Sequence, residues 1–185
     1  QISIELLLDN RNVDLVEEEY DAAFRVGPLA DSSFVARGLG KAQLIICASP
    51  EYLEKNGIPR TPQDLHDHSI VRHPTAPWEL EGADGVELLE LKSRLTLNDM
   101  SLIKSLVKRG TGIGMVPGAL GLQEFESGEL VPLLLDYPMV EKMMYLVYAS
   151  RKQPPSKLVS FIDFVMDRCR PVAPWSQEIK FAHIP

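Results

Sequence analysis

The residues that could do chemistry are few, and most of them read better as structure. Gly110-Thr111-Gly112-Ile113-Gly114 has the glycine density with which a loop brings backbone N–H groups up to a phosphate. The order is wrong for that use. These glycines follow a helical pattern and precede a strand, whereas a phosphate loop follows a strand and opens a helix; no Gly-Lys-Ser/Thr triplet is present. They read as a helix end. His66, His68 and His73, with Asp64 and Asp67 nearby, have the residue types of a zinc site. Ligands must converge on the ion at about 2 Å, and two histidines two positions apart after a proline-capped turn diverge. A polar helix end and loop is the reading, and no metal is expected. No Gly-x-Ser-x-Gly elbow occurs, and neither Cys47 nor Cys169 has a histidine placed to activate it. No catalytic residue, no cofactor and no enzyme activity are therefore expected.

Binding chemistry has better candidates. Asn98-Asp99-Met100-Ser101 opens a helix, and free N–H groups at a helix start favour anions or carbonyls. Arg25, Val26 and Gly27 end one strand, and Asp9 and Asn10 end another. In open α/β sheets ligands gather at such carboxyl ends. The planar fork of Arg25 suits a carboxylate, although pairing with an acid on its own surface explains it equally well. Trp78 is either a stacking platform for a ligand or a core residue.

The elements that must position these groups follow from periodicity. Ile2–Leu8 alternates and then turns wholly apolar, as a strand with a buried face does. Val13, Val16 and Tyr20 share a helical stripe, with Glu17-Glu18-Glu19 turned outward. Ala22–Val26 and Leu44–Ala48 read as strands. Ser49-Pro50 and Thr61-Pro62-Gln63-Asp64 are helix starts, each with a hydroxyl at the N-cap and proline after it. The Pro-, Gly- and Ala-rich stretch from His73 to Gly85 reads as a crossing between lobes. Beyond it come a helix carrying Leu102, Ile103, Leu106 and Val107, a strand over Gly112–Pro117, and a short helix over Ala119–Phe125. Strands over Leu130–Leu135 and Met143–Tyr148 precede an amphipathic helix with Leu158, Ile162, Val165 and Cys169 on one face. Residues 171–185 show little pattern apart from Trp175 and Phe181. Strand–helix–strand alternation predicts an α/β fold with a mainly parallel sheet.

Composition bounds the function. The 185 residues carry a net charge of -7 and a mean hydropathy of -0.05. No basic run exceeds two residues, which argues against direct contact with nucleic acid. No uncharged apolar run approaches the roughly 20 residues of a spanning helix, so no membrane partner is expected. Two cysteines cannot make a disulfide framework for this length, and a reducing cytoplasm fits best. The first residue is Gln, without a signal-peptide pattern, so the chain reads as a fragment.

The run Val13-Asp14-Leu15-Val16 … Tyr20-Asp21-Ala22-Ala23-Phe24-Arg25-Val26-Gly27, then Asp31-Ser32-Ser33 and Ala36-Arg37, resembles the effector-binding domain of LysR-type transcriptional regulators. Ala48-Ser49-Pro50-Glu51-Tyr52-Leu53, Gly57-Ile58-Pro59, Pro62-Gln63-Asp64-Leu65 with His68, and Gly112–Pro117 follow in the family's order. The resemblance implies two Rossmann-like lobes joined by crossing strands, as in type 2 periplasmic binding proteins. Lobe I would be 1–72 with 151–170, lobe II 73–150, and 171–185 a tail. The chain opens at the family's second strand, so the domain's first strand and helix are expected to be missing, together with the winged helix-turn-helix. A small anionic or aromatic effector would bind at Asp9, Asn10, Arg25, Val26, Gly27, Trp78, Asn98, Asp99 and Met100. The resemblance further implies a homodimer or tetramer that meets DNA only through the missing domain. A solute-binding protein of a transporter shares the fold and stands as the alternative function.

Overall fold

A computed structural model of the chain describes residues 3–9, 13–29, 34–82, 85–150, 154–177 and 179–182. In chain order the strands are β1 (Ala23–Val26), β2 (Phe34–Ala42), β3 (Leu44–Ala48), β4 (Ile70–Arg72), β5 (Glu79–Gly82), β6 (Gly85–Leu88), β7 (Ser93–Thr96), β8 (Ile113–Pro117), β9 (Val131–Pro132) and β10 (Lys142–Ala149). The α-helices are α1 (Pro50–Asn56), α2 (Met100–Lys108), α3 (Leu122–Ser127) and α4 (Ser156–Arg168), with short 3-10 helices at Pro62–Asp67 and Pro174–Ser176. The chain divides into two compact units, Gln1–Lys41 with Lys142–Gln177, and Ala42–Glu141 with Glu178–Pro185.

In the first unit β10 lies between β1 and β2, and β1 runs antiparallel to it with Phe24 opposite Leu146. Helix α4 puts Leu158 and Val165 onto Leu146 and Tyr148 of β10 and Leu39 of β2, with Cys169 and Ala173 completing the core. That is the apolar stripe expected of this helix.

The second unit is built on a five-stranded sheet in the order β7-β4-β8-β3-β9. Strand β4 is parallel to β7 and β8, while β3 is antiparallel to β8 and β9. The sheet is therefore mixed rather than mainly parallel. Successive side chains in a strand point to opposite faces, and both faces here are covered. Ile46 and Ala48 join Ile113, Met115, Tyr52, Leu53, Leu65 and Trp78 in one core cluster. Ile45 and Cys47 join Val116, Ile103, Val107 and Phe125 in another. Burial on both faces explains why Leu44–Ala48 reads as one unbroken apolar run.

Helix ends are fixed by local chemistry. Ser49 Oγ accepts from the Tyr52 N–H at 3.2 Å at the start of α1. Asp64 Oδ2 accepts from the Arg60 and Thr61 N–H groups at 2.8 and 2.9 Å, holding the start of the first 3-10 helix. Gly110 closes the end of α2 at φ 78°, its N–H donating to the Val107 carbonyl at 2.9 Å, while Gly112 and Gly114 are packing residues: a Cβ on Gly112 would overlap the Ser69 carbonyl oxygen, and one on Gly114 would lie 2.5 Å from Val107 Cγ2.

Several expectations change. Residues 3–8 form no strand: they pair with no strand among the described residues, and Ile4, Leu6, Leu7 and Leu8 are exposed. Residues 15–19 make a turn instead of a helix. Asp14 Oδ1 takes the Val16 and Glu17 N–H groups, and Glu19 leaves helical space at φ 60°, so the first turn is not continued. The stretch from His73 to Gly85 is no crossing: β5 and β6 form an antiparallel hairpin inside the second unit. The compact units accordingly part at 41/42 and 141/142 rather than at 72/73 and 150/151, because β3 and β4 pair with β8. The strand expected over 130–135 shrinks to Val131–Pro132, and β2 has no counterpart in the periodicity.

Candidate functional site

Strands β4, β7 and β8 run parallel in the second unit's sheet, and Asn98, Asp99 and Met100 follow β7. The Leu97 N–H donates to the Arg72 carbonyl at 3.0 Å, which sets the segment after β7 beside the segment after β4. Asn98 and Asp99 are exposed and Met100 packs against the Val107 cluster. Asp99 is the N-cap of α2: its Oδ1 accepts from the Leu102 N–H at 2.7 Å. One of the free donors at this helix start is thus already taken by the chain's own carboxylate.

Beside it lies a residue that the sequence reading left in a loop. His73 follows β4 and is 7% exposed. Its Nδ1 accepts from the Thr75 N–H at 3.2 Å, with the Thr75 hydroxyl 3.1 Å away. With Nδ1 accepting, the ring proton of the neutral imidazole sits on Nε2. The signal was available: a histidine ending an apolar strand, two residues ahead of a threonine able to hold its ring.

Trp78 goes to the core. It is 3% exposed, packed with Leu80, Leu91 and Met115, and its Nε1 is buried without a hydrogen-bond partner among the described residues.

In the first unit Arg25 and Val26 end β1 and Gly27 follows it. Arg25 donates from Nη2 to the Val13 carbonyl at 2.6 Å, and its guanidinium lies 6.0 Å from the Phe34 ring centroid. Its fork is therefore partly used in tying residues 13–19 to β1. Val26 is exposed, and the Gly27 N–H donates to the Met143 carbonyl at 3.0 Å. Asp9 is exposed; Asn10 lies outside the described residues.

The histidines do not converge, and no group of three or more His, Cys, Asp or Glu suited to a metal occurs among the described residues. His66 is exposed on the 3-10 helix, where it lines a shallow pocket with Gln63, Glu87 and Glu90. His68 Nδ1 lies within hydrogen-bond reach of the Tyr52 hydroxyl at 3.1 Å, and that hydroxyl accepts from the Ser69 N–H at 3.0 Å. Burial lowers the His68 pKa, against the opposing pull of Asp67 and Asp64. Cys47 and Cys169 are free and buried, and burial raises both thiols, Cys47 far above its ordinary value. No described helix is long and apolar enough to cross a membrane.

Comparison with known proteins gives the arrangement its family. Residues 1–170 match the LysR substrate binding domain. An uncharacterised HTH-type transcriptional regulator of Haemophilus influenzae is 32% identical over 161 residues, spanning 85% of this chain and 56% of that protein. The HTH-type transcriptional activator AaeR of Escherichia coli is 31% identical over 170 residues, spanning 90% and 55%. Among solved structures, full-length AphB, a virulence activator of Vibrio cholerae, superposes with a TM-score of 0.79 at 32% identity, covering 90% of this chain and 58% of that one. The regulatory domain of CrgA from Neisseria meningitidis gives 0.74 at 28% identity, covering 83% and 78%. The chain spans a little over half the length of these curated relatives, and their character does not favour the transporter reading. Two α/β units, a strand order interrupted by crossings and a family match running from residue 1 to 170 lead to one conclusion: this chain belongs to the LysR substrate-binding domain family.

Proposed function

We propose that the chain is the sensing part of a cytoplasmic LysR-type transcriptional regulator, without enzyme activity, and that it binds a small anionic or aromatic effector. The observation that carries this reading is the family match over residues 1–170, with relatives that are themselves transcription regulators. The whole regulator would act as a homodimer or tetramer and meet DNA through a domain outside this chain. The residues that would bind the effector are Asp9, Asn10 and Arg25–Gly27 in the first unit and Asn98–Met100 in the second. Trp78 is left out because its ring is enclosed by the core. His73 is added, since its Thr75 bonds leave Nε2–H as the donor.

The mechanism follows from linkage. An effector that binds one arrangement of the regulator more tightly shifts the population toward it, and a coupling of about 1–3 kcal/mol changes DNA affinity roughly 5–150-fold. The test uses the full-length regulator, screened for thermal stabilisation by aromatic and aliphatic carboxylates, with operator affinity measured for each hit. A stabilising carboxylate that shifts operator affinity, and loses its effect in His73→Ala, supports the reading. Stabilisation that leaves operator affinity unchanged removes the switching role, and conversion of the bound compound makes the protein an enzyme.

A further inference from the structure

Residues beyond 170 lie outside the family match, yet they are built into both units. Ala173 is 2% exposed and belongs with Trp175 to the core of the first unit. The Ser176 hydroxyl donates to the Lys41 carbonyl at 2.5 Å. Both residues seat on Gly40, where φ is 139° and a Cβ would stand 2.9 Å from Ala173 Cβ and from Ser176 Oγ. Three residues past Ser176 the chain is anchored again, now on the second unit. Ile179 sits where a Cβ on Gly118 would overlap it. The Phe181 ring meets the fully buried Phe125 edge-on, with centroids 5.5 Å apart and planes at 88°. The Ala182 N–H donates to the Phe125 carbonyl at 3.1 Å.

The chain thus passes between the units three times, at 41/42, 141/142 and 177/178, and the last passage is held on both sides by a glycine seat and buried side chains. Units joined by few connections move by hinge or shear, and an added anchored connection removes some of that freedom. We propose that residues 173–177 and 179–182 act as a strap, a tether whose Ile179–Ala182 anchor limits movement of one unit against the other. Resting on the effector reading above, the strap sets the resistance against which an effector would rearrange the regulator. Release of the anchor would be a way to change the response without touching the binding residues.

The test needs no effector, so its outcome is separate from that of the functional reading. Spin labels at Glu54→Cys on α1 and Ser160→Cys on α4, both exposed positions, report the distance between units, while Cys47 and Cys169 are buried from the reagent. The distribution is measured for the whole chain, for a chain ending at Gln177, and for the full-length double variant Ile179→Ser, Phe181→Ser. The strap predicts a narrow distribution in the whole chain and a broadened one in both variants, with the far-UV circular dichroism unchanged. Equal widths in the whole chain and in whichever variant folds overturn it. So does a whole-chain distribution that is already broad.

Discussion

The two units solve the same burial problem to different depths. In the second, alternate residues of β3 and β8 feed two separate core clusters, so its sheet is covered on both faces. The first has one cluster, formed by α4 against β10 and β2. There β1 is the edge strand, and Phe24 and Val26 stay 46% and 55% exposed although they pair with Leu146 and Met144. Residues directly opposite in an antiparallel pair share a face. On that face Leu146 is buried and Phe24 opposite it is not, which marks the limit of the helix's cover. Full cover ties stability to packing at every position; in the first unit Val147 on the other face of β10 is buried as well, and it is on the edge strand β1 that Phe24 and Val26 are left free to vary.

Substitutions can break this contrast or sharpen it. Trp78→Ala removes a 3% exposed ring from the second unit, and a loss of about 3–5 kcal/mol is expected from the cavity. Urea unfolding measures it, and a loss under about 1 kcal/mol would show the ring to be dispensable to the core. Ser49→Ala deletes the cap of α1 at a 2% exposed position and should cost about 1 kcal/mol by the same measurement.

A pH series probes the second unit at His68. Its folded pKa lies below the ordinary 6.5, so the unfolded chain binds its proton first. The contribution is complete above about pH 6.5 and declines as the pH falls through that value. Urea midpoints at about pH 7 and about pH 5.5 should differ more in the parent than in His68→Asn; equal differences would take His68 out of the acid response. Smallest of all, Phe24→Ser in the first unit should change stability by no more than about 0.5 kcal/mol. A larger loss would mean that the edge face is covered in solution.

What was legible in the sequence was whatever local chemistry decides. Ser49-Pro50 before α1, Asp99 before α2, and the Leu158–Val165 stripe of α4 were read correctly because capping and helical periodicity are written into adjacent residues. Strand partnership is not. Residues 3–8 have the alternation of a strand but no ladder, and β2, interrupted by Gly38 and Gly40, has a ladder but little alternation. The division into compact units rests on the same kind of contact, since pairing of β3 and β4 with β8 is long-range. Around the candidate residues, the capping role of Asp99 is written in adjacent residues, whereas the Arg25 bond to the Val13 carbonyl and the enclosure of Trp78 depend on tertiary packing.

The two cysteines fall one to each unit, Cys169 in the first and Cys47 in the second, both free and both buried. A thiol reagent attacks only thiolate that it can reach, so each sulfur stays silent until its own surroundings open. The molecule therefore carries a clock in either half. The order in which the two sulfurs are alkylated tells which half opens first, without a label being added.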